Sequence, residues 1–397
     1  MVSEVILKVK NNFVKKYKSG YPLIMKQALE QWSDLNTEGS IVRLMDDNNN
    51  FIGKGYYGEQ NKGLGWILTN SASEEIDAPF FLKKIKKSIS FRKDYYENAD
   101  TTAFRVFNGE GDGIGGITID YYDGYYVISW YSKGIYAFRN QVISALKSAV
   151  SYKGIYQKKR FSEDGKYIEE DDFIAGERGE FPLIIKENGV NFAIYLNEGA
   201  MVGVFLDQRE VRKTIRDKYA KGKTVLNTFS YTGAFSVFAA LGGAEKTTSV
   251  DLANRSLGKT IEQFSINGID YEAQDIKVMD VFDYFKYAVR KGLKFDMVIL
   301  DPPSFARSKK MTFSVAKDYK NLLKETISIT EDEGIIVAST NYSGFHMDKF
   351  KSFINSAFKE LGRKYELLEE YSLPSDFRTS EHFKEGDYLK VVFIRKK

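Results

Sequence analysis

Cysteine is absent from this 397-residue sequence, and only two histidines occur, His346 and His382. The lack of cysteine excludes disulfides, thiolate metal ligands and thiol nucleophiles together. With so few imidazoles, a zinc site or a Ser-His-Asp triad is disfavoured, and we expect no metal. The six prolines leave little sequence for disordered linkers.

Long apolar runs and a strong net charge are also missing. No stretch approaches the roughly 18 apolar residues of a membrane span, and the first residues contain too short an apolar run for a secretory signal. We therefore expect a cytoplasmic protein without a membrane partner. The net charge of +4 is too small to indicate a nucleic-acid partner by itself.

The residues that are present predict a folded chain of roughly two to three domains. Residues 1–72 contain "GSIVRLMDDNNNFIGKGYYG", which predicts two strands around an Asp-Asn-Asn-Asn turn within a β-rich domain. Residues 73–180 combine helical spacing in "FFLKKIKKSISFRKDYY" with a hairpin around Asp123-Gly124, which indicates a central α+β domain.

From residue 181 to residue 397, apolar strands alternate with amphipathic helices. The candidate strands are "TVLNTF", "KTTSVD", "FDMVILD" and "GIIVAST", and the helical segments between them include "GAFSVFAALGG" and "SLGKTIEQFSINGI". This alternation predicts an α/β fold, a doubly wound and mostly parallel sheet covered on both faces.

In such sheets the ligand lies beyond the carboxyl ends of the strands. The first strand leads into "NTFSYTGAFS" with Gly233, and the next strands end near Asp251, Asp280 and Asp301. Asp251 follows Gly233 by eighteen positions and is placed to accept both hydroxyls of a ribose. A single acid here is more often a helix cap or a solvated turn, but the series favours a nucleoside.

The phosphate-binding signatures of nucleotide folds are incomplete. Only Gly233 of a G-x-G-x-x-G pattern is present, and "GKT" at Gly222 to Thr224 precedes its strand, as a P-loop would not. A cofactor with a ribose but no phosphate fits better, and S-adenosyl-L-methionine is the obvious candidate.

With these motifs the chain resembles the bacterial ribosomal RNA large-subunit methyltransferases that carry an N-terminal PUA domain. The resemblance rests on "YPLIMKQAL", "GEGDGIGGITIDYYDGYYV", "VGVFLDQREVR", "VLNTFSYTGAFSV", "VDLANRSL" and "FDMVILDPPSF". It implies a PUA-like RNA-binding domain over 1–72, a central domain over 73–180 and a Rossmann-like class I methyltransferase domain over 181–397. It also implies S-adenosyl-L-methionine as cofactor, S-adenosyl-L-homocysteine as product and large-subunit ribosomal RNA as partner. The oligomeric state stays open, with a homodimer as one alternative.

The resemblance further implies roles for individual residues. Asp207 and Arg209 would flank the methionine end of the cofactor, Asp251 would hold the ribose and Asp280 the adenine amine. Arg209 could equally form a surface ion pair, and Phe229 and Tyr231 could be core aromatics. The complete predicted cofactor site is Asp207, Arg209, Asn227, Phe229, Ser230, Tyr231, Thr232, Gly233, Asp251, Asp280 and Asp301.

The predicted catalytic residues are Asp301, Pro302, Pro303 and Asn341. Two consecutive prolines fix the backbone after Asp301 and remove two N–H donors, so this strand end is rigid. The alternative for the two prolines is that they only form a rigid turn after a strand. The alternative for Asn341 is that its side chain forms a hydrogen bond to its own backbone.

The target base follows from the missing thiol. Methylation of cytosine C5 requires prior covalent activation of the ring, and this chain has no cysteine to supply it. "VASTNYSGFHMD" resembles instead the guanine-N7 methyltransferase half of a fused large-subunit enzyme, in which no covalent intermediate is needed. Asp301 and Asn341 would grip the guanine. Cytosine C5 methylation through Ser343, exocyclic-amine methylation and a catalytically silent RNA-binding module remain alternatives.

Three basic clusters, each beside aromatic residues, are candidate RNA contacts. They are the lysines of residues 83–87, "QKKR" at Gln157 to Arg160, and "RSKK" at Arg307 to Lys310. Taken singly, each could equally be a solvated helix face or loop.

Overall fold

The computed structural model describes residues 4–60, 63–163, 166–167, 172–199, 201–307 and 312–397. The chain forms two compact units. The first comprises residues 1–185, 195–202 and 375–386, and the second comprises residues 186–194, 203–374 and 387–397. Residues 375–386 thus belong to the first unit, although they fall inside the last predicted domain. The division into three domains at residues 72 and 180 stays a prediction.

The first unit contains, in chain order, β1 (Glu4–Lys8), α1 (Asn11–Lys18), β2 (Ile41–Met45), β3 (Phe51–Gln60), β4 (Gly63–Thr69), α2 (Ala78–Phe91), α3 (Lys93–Tyr96), β5 (Ala103–Asn108), β6 (Ile117–Tyr122), β7 (Tyr125–Trp130), α4 (Lys133–Tyr136), α5 (Arg139–Ala149), β8 (Gly154–Lys159), β9 (Ser162–Glu163), β10 (Lys166–Tyr167) and β11 (Phe173–Gly176). Strands β1-β2-β3-β4 form one sheet, and β11-β8-β7-β6-β5 form a second. One buried apolar cluster connects them.

Two elements of the first unit follow directly from their sequences. Helix α2 begins after Asp77, whose carboxylate accepts a hydrogen bond from Phe80 N at 3.0 Å. Its first turn contains a proline, which is favourable there because the N–H groups of the first turn have no partner within the helix. The predicted hairpin is β6–β7, and its turn residues Asp123 and Gly124 both have positive φ, 44° and 96°. Two-residue hairpin loops of this kind match the twist of the strands.

The chain continues with β12 (Leu183–Glu187), whose residues are divided between the two units at residue 185. The second unit then contains β13 (Val190–Ile194), α6 (Arg209–Thr214), β14 (Thr224–Thr228), α7 (Ala234–Leu241), β15 (Lys246–Asp251), α8 (Arg255–Ser265), β16 (Asp275–Val278), α9 (Val281–Lys291), β17 (Phe295–Leu300), β18 (Phe305–Arg307), β19 (Thr312–Ser314), α10 (Val315–Ile329), β20 (Thr330–Thr340), α11 (Met347–Glu360), β21 (Tyr365–Tyr371) and β22 (Lys390–Lys396). The four candidate strands are all present. Helix α8 ends four residues before the segment predicted for it, because Asn267 and Gly268 form a turn instead of a further helical turn.

A seven-stranded sheet organises the second unit, in the order β16-β15-β14-β17-β20-β22-β21. The first five strands are parallel to one another, whereas β22 is antiparallel to both of its neighbours. The chain runs from β14 outward to β16 and then crosses to β17 on the other side of β14. Ligands of doubly wound sheets bind where the strand order reverses in this way.

Both faces of this sheet are buried. Met297 and Ile299 of β17 belong to an apolar cluster with α6 and α7, whereas Val298 and Leu300 belong to a cluster with α9, α10 and α11. Successive side chains of a strand point to opposite faces, so this alternation places a helical layer on each side.

Candidate active site

The carboxyl ends of the parallel strands meet at one edge of the sheet. Thr228 of β14 pairs with Leu300 of β17, Asp251 of β15 pairs with Val278 of β16, and Leu300 pairs with Ala338 of β20. The predicted acids Asp251, Asp280 and Asp301, which end or follow these strands, therefore lie along the same edge.

The loop between β14 and α7 has an unusual backbone. Phe229, Tyr231 and Gly233 all have left-handed φ values, 54°, 53° and 78°. Such conformations cost non-glycine residues about 1–3 kcal/mol each and cluster at functional sites. At Gly233 an added Cβ would come within 2.6 Å of Thr260 Cγ2 in helix α8. Both the left-handed φ and the close approach of this helix therefore favour glycine at this position.

Asp251 holds this loop in place. Its Oδ2 accepts a hydrogen bond from Tyr231 N and its Oδ1 accepts one from Ala253 N, both at 2.9 Å. An ionised carboxylate has about four acceptor sites, so two hydroxyl groups can still be accommodated. The side chain is partly exposed, and the arrangement suits the two hydroxyls of a ribose.

Asp280 caps helix α9. Its Oδ1 accepts hydrogen bonds from Phe282 N at 2.9 Å and Asp283 N at 3.4 Å. The alternative of a helix cap therefore holds for this oxygen. Next to the two acids, the apolar side chains of Leu252 and Met279 are 60% and 39% exposed, which is the surface that a planar base would cover.

Asp301 extends the alternation of Met297 and Ile299 and so faces the side of the sheet that carries α6. There its carboxyl group interacts with Ser339 and Gln208 and lies near Asp207. Burial raises the pKa of Asp301 to about 6, and the negative charge of Asp207 adds to the shift. The side chain thus lies near Asp207, the residue predicted to flank the methionine end of the cofactor.

Asp207 and Arg209 lie at the start of α6. The Asp207 Oδ2 accepts a hydrogen bond from the Tyr388 hydroxyl at 2.9 Å. Arg209 is only 1% exposed, and its Nε lies 3.4 Å from Oε1 of the exposed Glu210, so the alternative of an ion pair holds although the guanidinium itself is buried.

The other predicted residues of the β14 end are buried and structural. Asn227 is fully buried, and its Nδ2 donates to Ser236 Oγ at 3.0 Å beneath the loop, while its Oδ1 has no partner among the described residues. Thr232 Oγ1 donates to Gly203 O at 2.7 Å, and Ser230 N donates to Val250 O at 3.1 Å. Phe229 packs on Phe282 with ring centroids 6.1 Å apart, which agrees with the core-aromatic alternative.

A buried ion pair that sequence reasoning missed anchors the segment before α6. Arg212 donates to both carboxylate oxygens of Glu187, at 2.6 and 2.7 Å, and also donates to Phe205 O at 2.7 Å. Phe205 in turn packs on Tyr231, with ring centroids 5.3 Å apart. The pair therefore fixes residues 203–207 next to the loop that follows β14.

We expect loss of one partner of this pair to be far more damaging than loss of both. Glu187→Leu leaves the buried Arg212 without its counter-ion and should lower the free energy of unfolding by about 3–5 kcal/mol. Glu187→Leu combined with Arg212→Met should recover most of that stability yet keep a weakened cofactor site, because Phe205 O has lost its donor. Far-UV circular dichroism in urea and calorimetric titration with S-adenosyl-L-homocysteine measure the two effects. Equal stability of the single and double variants would contradict the anchoring role.

The predicted catalytic prolines and Asn341 lie on two neighbouring strand ends. Pro302 is buried and Pro303 exposed. The Ser304 hydroxyl donates to Asn341 Oδ1 at 2.6 Å, so Asn341 bonds to the other strand end, in contrast to the alternative of its own backbone.

The segment after Asn341 has an anchor of its own. Lys390 Nζ donates to Tyr342 O at 3.0 Å, and burial lowers the pKa of Lys390 to about 8. Lys390 lies in none of the motifs quoted above, and Gln208 lies within "VGVFLDQREVR" but was given no role there. Of the basic cluster at 307–310, Lys309 and Lys310 lie outside the described residues.

The donors and acceptors at this edge fit S-adenosyl-L-methionine. Asp251 offers acceptors that suit a ribose, exposed Leu252 and Met279 offer an apolar surface that suits an adenine, and the neighbouring acids Asp207 and Asp301 suit a cationic amino-acid portion. Within the described residues, no cluster of three or more potential metal ligands occurs and no helix is long and apolar enough to span a membrane.

Comparison with known proteins identifies the family. Residues 134–362 match the model of the S-adenosylmethionine-dependent methyltransferases, and residues 7–70 match that of the PUA-like domain. The chain belongs to the S-adenosylmethionine-dependent methyltransferase family. The predicted family, fold class, enzyme class and cofactor are thereby confirmed.

Full-length relatives agree with this assignment. The chain is 63% identical, over 99% of its own length and 100% of the relative, to the Bacillus subtilis (strain 168) protein YwbD, provisionally named a ribosomal RNA large subunit methyltransferase. It is 30% identical, over 98% of both chains, to ribosomal RNA large subunit methyltransferase I of Alteromonas mediterranea. A solved structure of a protein provisionally described as a methyltransferase, complexed with SAH, superposes with a TM-score of 0.90 at 38% identity, covering 99% of this chain and 100% of the other.

Proposed function

We propose that this enzyme methylates a base of large-subunit ribosomal RNA and that the acceptor is N7 of a guanine. The names of the full-length relatives support the RNA substrate, and the PUA-like domain over residues 7–70 supports an RNA-binding role for the first unit. The choice of atom rests on the residues around Asn341.

The hydrogen bond between Ser304 and Asn341 carries the proposal. Because Asn341 Oδ1 accepts the Ser304 hydroxyl at 2.6 Å, the amide N–H groups of Asn341 are directed elsewhere. An amide N–H pairs with a carbonyl oxygen, and guanine has such an oxygen, O6, beside N7. Adenine and cytosine present an amine in that place. An amine is also a donor, so it forms no hydrogen bond with the amide N–H of Asn341.

The chemistry of guanine N7 matches the residues available. S-adenosyl-L-methionine supplies an electrophilic methyl group, and N7 has an in-plane lone pair, so no general base is required. Asn341 would hold O6, and the rigid Pro302-Pro303 turn would define the wall against which the base lies. Correct alignment can supply roughly 7–11 kcal/mol of barrier reduction in such reactions.

Cytosine C5 methylation lacks its usual nucleophile here. The sequence contains no cysteine, and a C5 reaction through Ser343 would have to form a covalent adduct with an oxygen nucleophile. An adduct between this enzyme and RNA containing 5-fluorocytosine would therefore favour that alternative and contradict ours.

Borohydride and aniline cleavage tests the guanine proposal, since this treatment cuts RNA at 7-methylguanosine. Large-subunit RNA from wild-type cells should be cut at one guanosine that stays intact in RNA from a deletion strain. Complementation with the wild-type gene should restore the cut, and complementation with Asp301→Asn should not. Identical cleavage patterns in wild-type and deletion strains would overturn the assignment of N7, and a catalytically silent protein would give the same pattern with no methyl incorporation anywhere in the RNA.

A further inference from the structure

A pocket of about 390 Å³ lies entirely within the first unit. It is bounded by helix α2, by the glycine-rich turn Gly109–Gly113 and by residues 378–382. Its volume falls within the range of small-ligand sites. None of these residues takes part in the edge of the sheet described above.

The far wall of the pocket is built by close backbone contact. A Cβ at Gly111 would stand 1.9 Å from Arg378 O, so only glycine allows the two segments to approach. Asn108 Nδ2 donates to the same Arg378 oxygen at 2.9 Å. The segment is also held before and after the pocket, because Arg92 donates to Asp376 O at 2.7 Å and Phe383 packs on Trp66 with ring centroids 5.4 Å apart.

Three cations, Lys84, Lys87 and Arg378, and three carboxylates, Glu110, Asp112 and Glu381, line this pocket. No ion pair involves either lysine among the described residues, and the side chain of Glu381 is 86% exposed to solvent. Of the carboxylates, Asp112 is buried in a bidentate pair with Arg92, at 2.7 and 3.1 Å. Burial raises the pKa of Glu110 to about 7, so this group carries only part of a charge at neutral pH.

Lys84 is the cation that most needs an anionic partner. Its Nζ lies only 2.8 Å from the position of a Cβ at Gly113, whose φ of +90° also favours glycine, so the ammonium reaches over the turn. Burial lowers the pKa of Lys84 because it removes water from the charged form. A bound anion would compensate for this loss of hydration, and Thr379 and Ser380, which carry hydroxyl groups, line the same pocket.

We propose that this pocket binds a backbone phosphate of the RNA substrate. The inference rests on the proposed function, because it takes its ligand from the ribosomal RNA. Lysine acts as a point charge towards phosphate, and such contacts fix the register of an RNA without reading its sequence. The pocket would thus give the first unit a contact that is independent of base identity.

Binding of a large-subunit RNA transcript as a function of salt concentration tests this proposal. Lys84→Gln combined with Lys87→Gln should weaken binding about ten-fold near 100 mM KCl and reduce the slope of log Kd against log salt concentration by about 1–2. The matched control is Lys15→Gln combined with Lys93→Gln, which removes two exposed lysines outside the pocket and outside the three basic clusters and should change Kd by less than about two-fold. Calorimetric affinity for S-adenosyl-L-homocysteine should be equal in all three proteins.

Equal salt slopes for the pocket variant and its control would overturn the inference and leave the proposed function intact. Failure of the wild-type protein to bind or methylate the RNA would overturn the proposed function, and this inference with it. Loss of RNA binding only in the pocket variant, with unchanged thermal stability, supports the assignment.

Discussion

Asp251→Ala is expected to weaken S-adenosyl-L-methionine binding about 100-fold, since two hydrogen bonds to a charged acceptor are worth about 1.5 kcal/mol each. The carboxylate has a second effect, because its bonds to Tyr231 N and Ala253 N hold the strained loop that follows β14. Isothermal titration calorimetry measures the change directly.

Asp275→Ala is the matched control for Asp251. Asp275 stands at the amino end of β16, opposite the candidate site, and forms ion pairs with the half-exposed side chains of Lys246 and Lys277. Its replacement should alter cofactor affinity by less than about two-fold. A similar loss of affinity in both variants would show that the aspartates act through general stability and not through the ribose.

Asp301→Asn is expected to reduce kcat about 100-fold while the affinity for S-adenosyl-L-homocysteine changes less than about ten-fold, because misplacement of reacting groups by 1 Å has a cost of that size. The asparagine keeps the shape of the side chain but weakens the interactions with Ser339 and Gln208 that hold the strand end. Single-turnover methylation of ribosomal RNA gives the rate, and calorimetry gives the affinity. An unchanged kcat in this variant would contradict a catalytic role for Asp301.

The same substitution should stabilise the fold at neutral pH. The pKa of Asp301 is raised to about 6 from 3.8 by burial, so the unfolded state ionises first as the pH rises. The free energy of unfolding of the wild type is therefore highest, as far as this group contributes, below pH 4. It falls by up to about 3 kcal/mol as the pH rises from about 4 to about 6. The asparagine variant does not titrate. Its advantage in the free energy of unfolding should therefore be larger at pH 7 than at pH 4.5, as followed by far-UV circular dichroism in urea.

Asp296 provides a contrast of opposite sign at the other end of β17. Burial would raise its pKa, but hydrogen bonds from Thr224 N and Oγ1, both 2.8 Å, outweigh burial and lower it. Its charge therefore stabilises the fold above the ordinary pKa, and this contribution is lost as the pH falls through the folded pKa. Asp296→Asn should destabilise the enzyme at pH 7, whereas Asp301→Asn should stabilise it. The same sign for both variants would contradict the pKa assignments.

The alternation of strands and helices was sufficient to predict which acids lie together. Parallel strands end at one edge, so Asp251, Asp280 and Asp301 could be placed side by side from their positions after the strands. Even the structural alternatives were visible, since Asp280 precedes a helix and has the residue type of a cap. What the sequence pattern could not separate was capping from ligand binding at Asp280.

The supporting contacts were not predictable because they join residues far apart in the chain. Glu187 and Arg212 are 25 positions apart, and Lys390 reaches Tyr342 across 48 positions. The second contact exists only because β22 inserts next to β20, an arrangement set by the whole sheet. Left-handed φ at Phe229 and Tyr231 was equally hidden, because aromatic residues rarely adopt it.

The identity of the methylated nucleoside tests the central claim most directly. Large-subunit RNA from the deletion strain would be incubated with the purified enzyme and S-adenosyl-L-methionine carrying a labelled methyl group, then digested to nucleosides and separated. Our account predicts that the label appears in 7-methylguanosine. Label in 5-methylcytidine or in a nucleoside methylated on its exocyclic amine would contradict it.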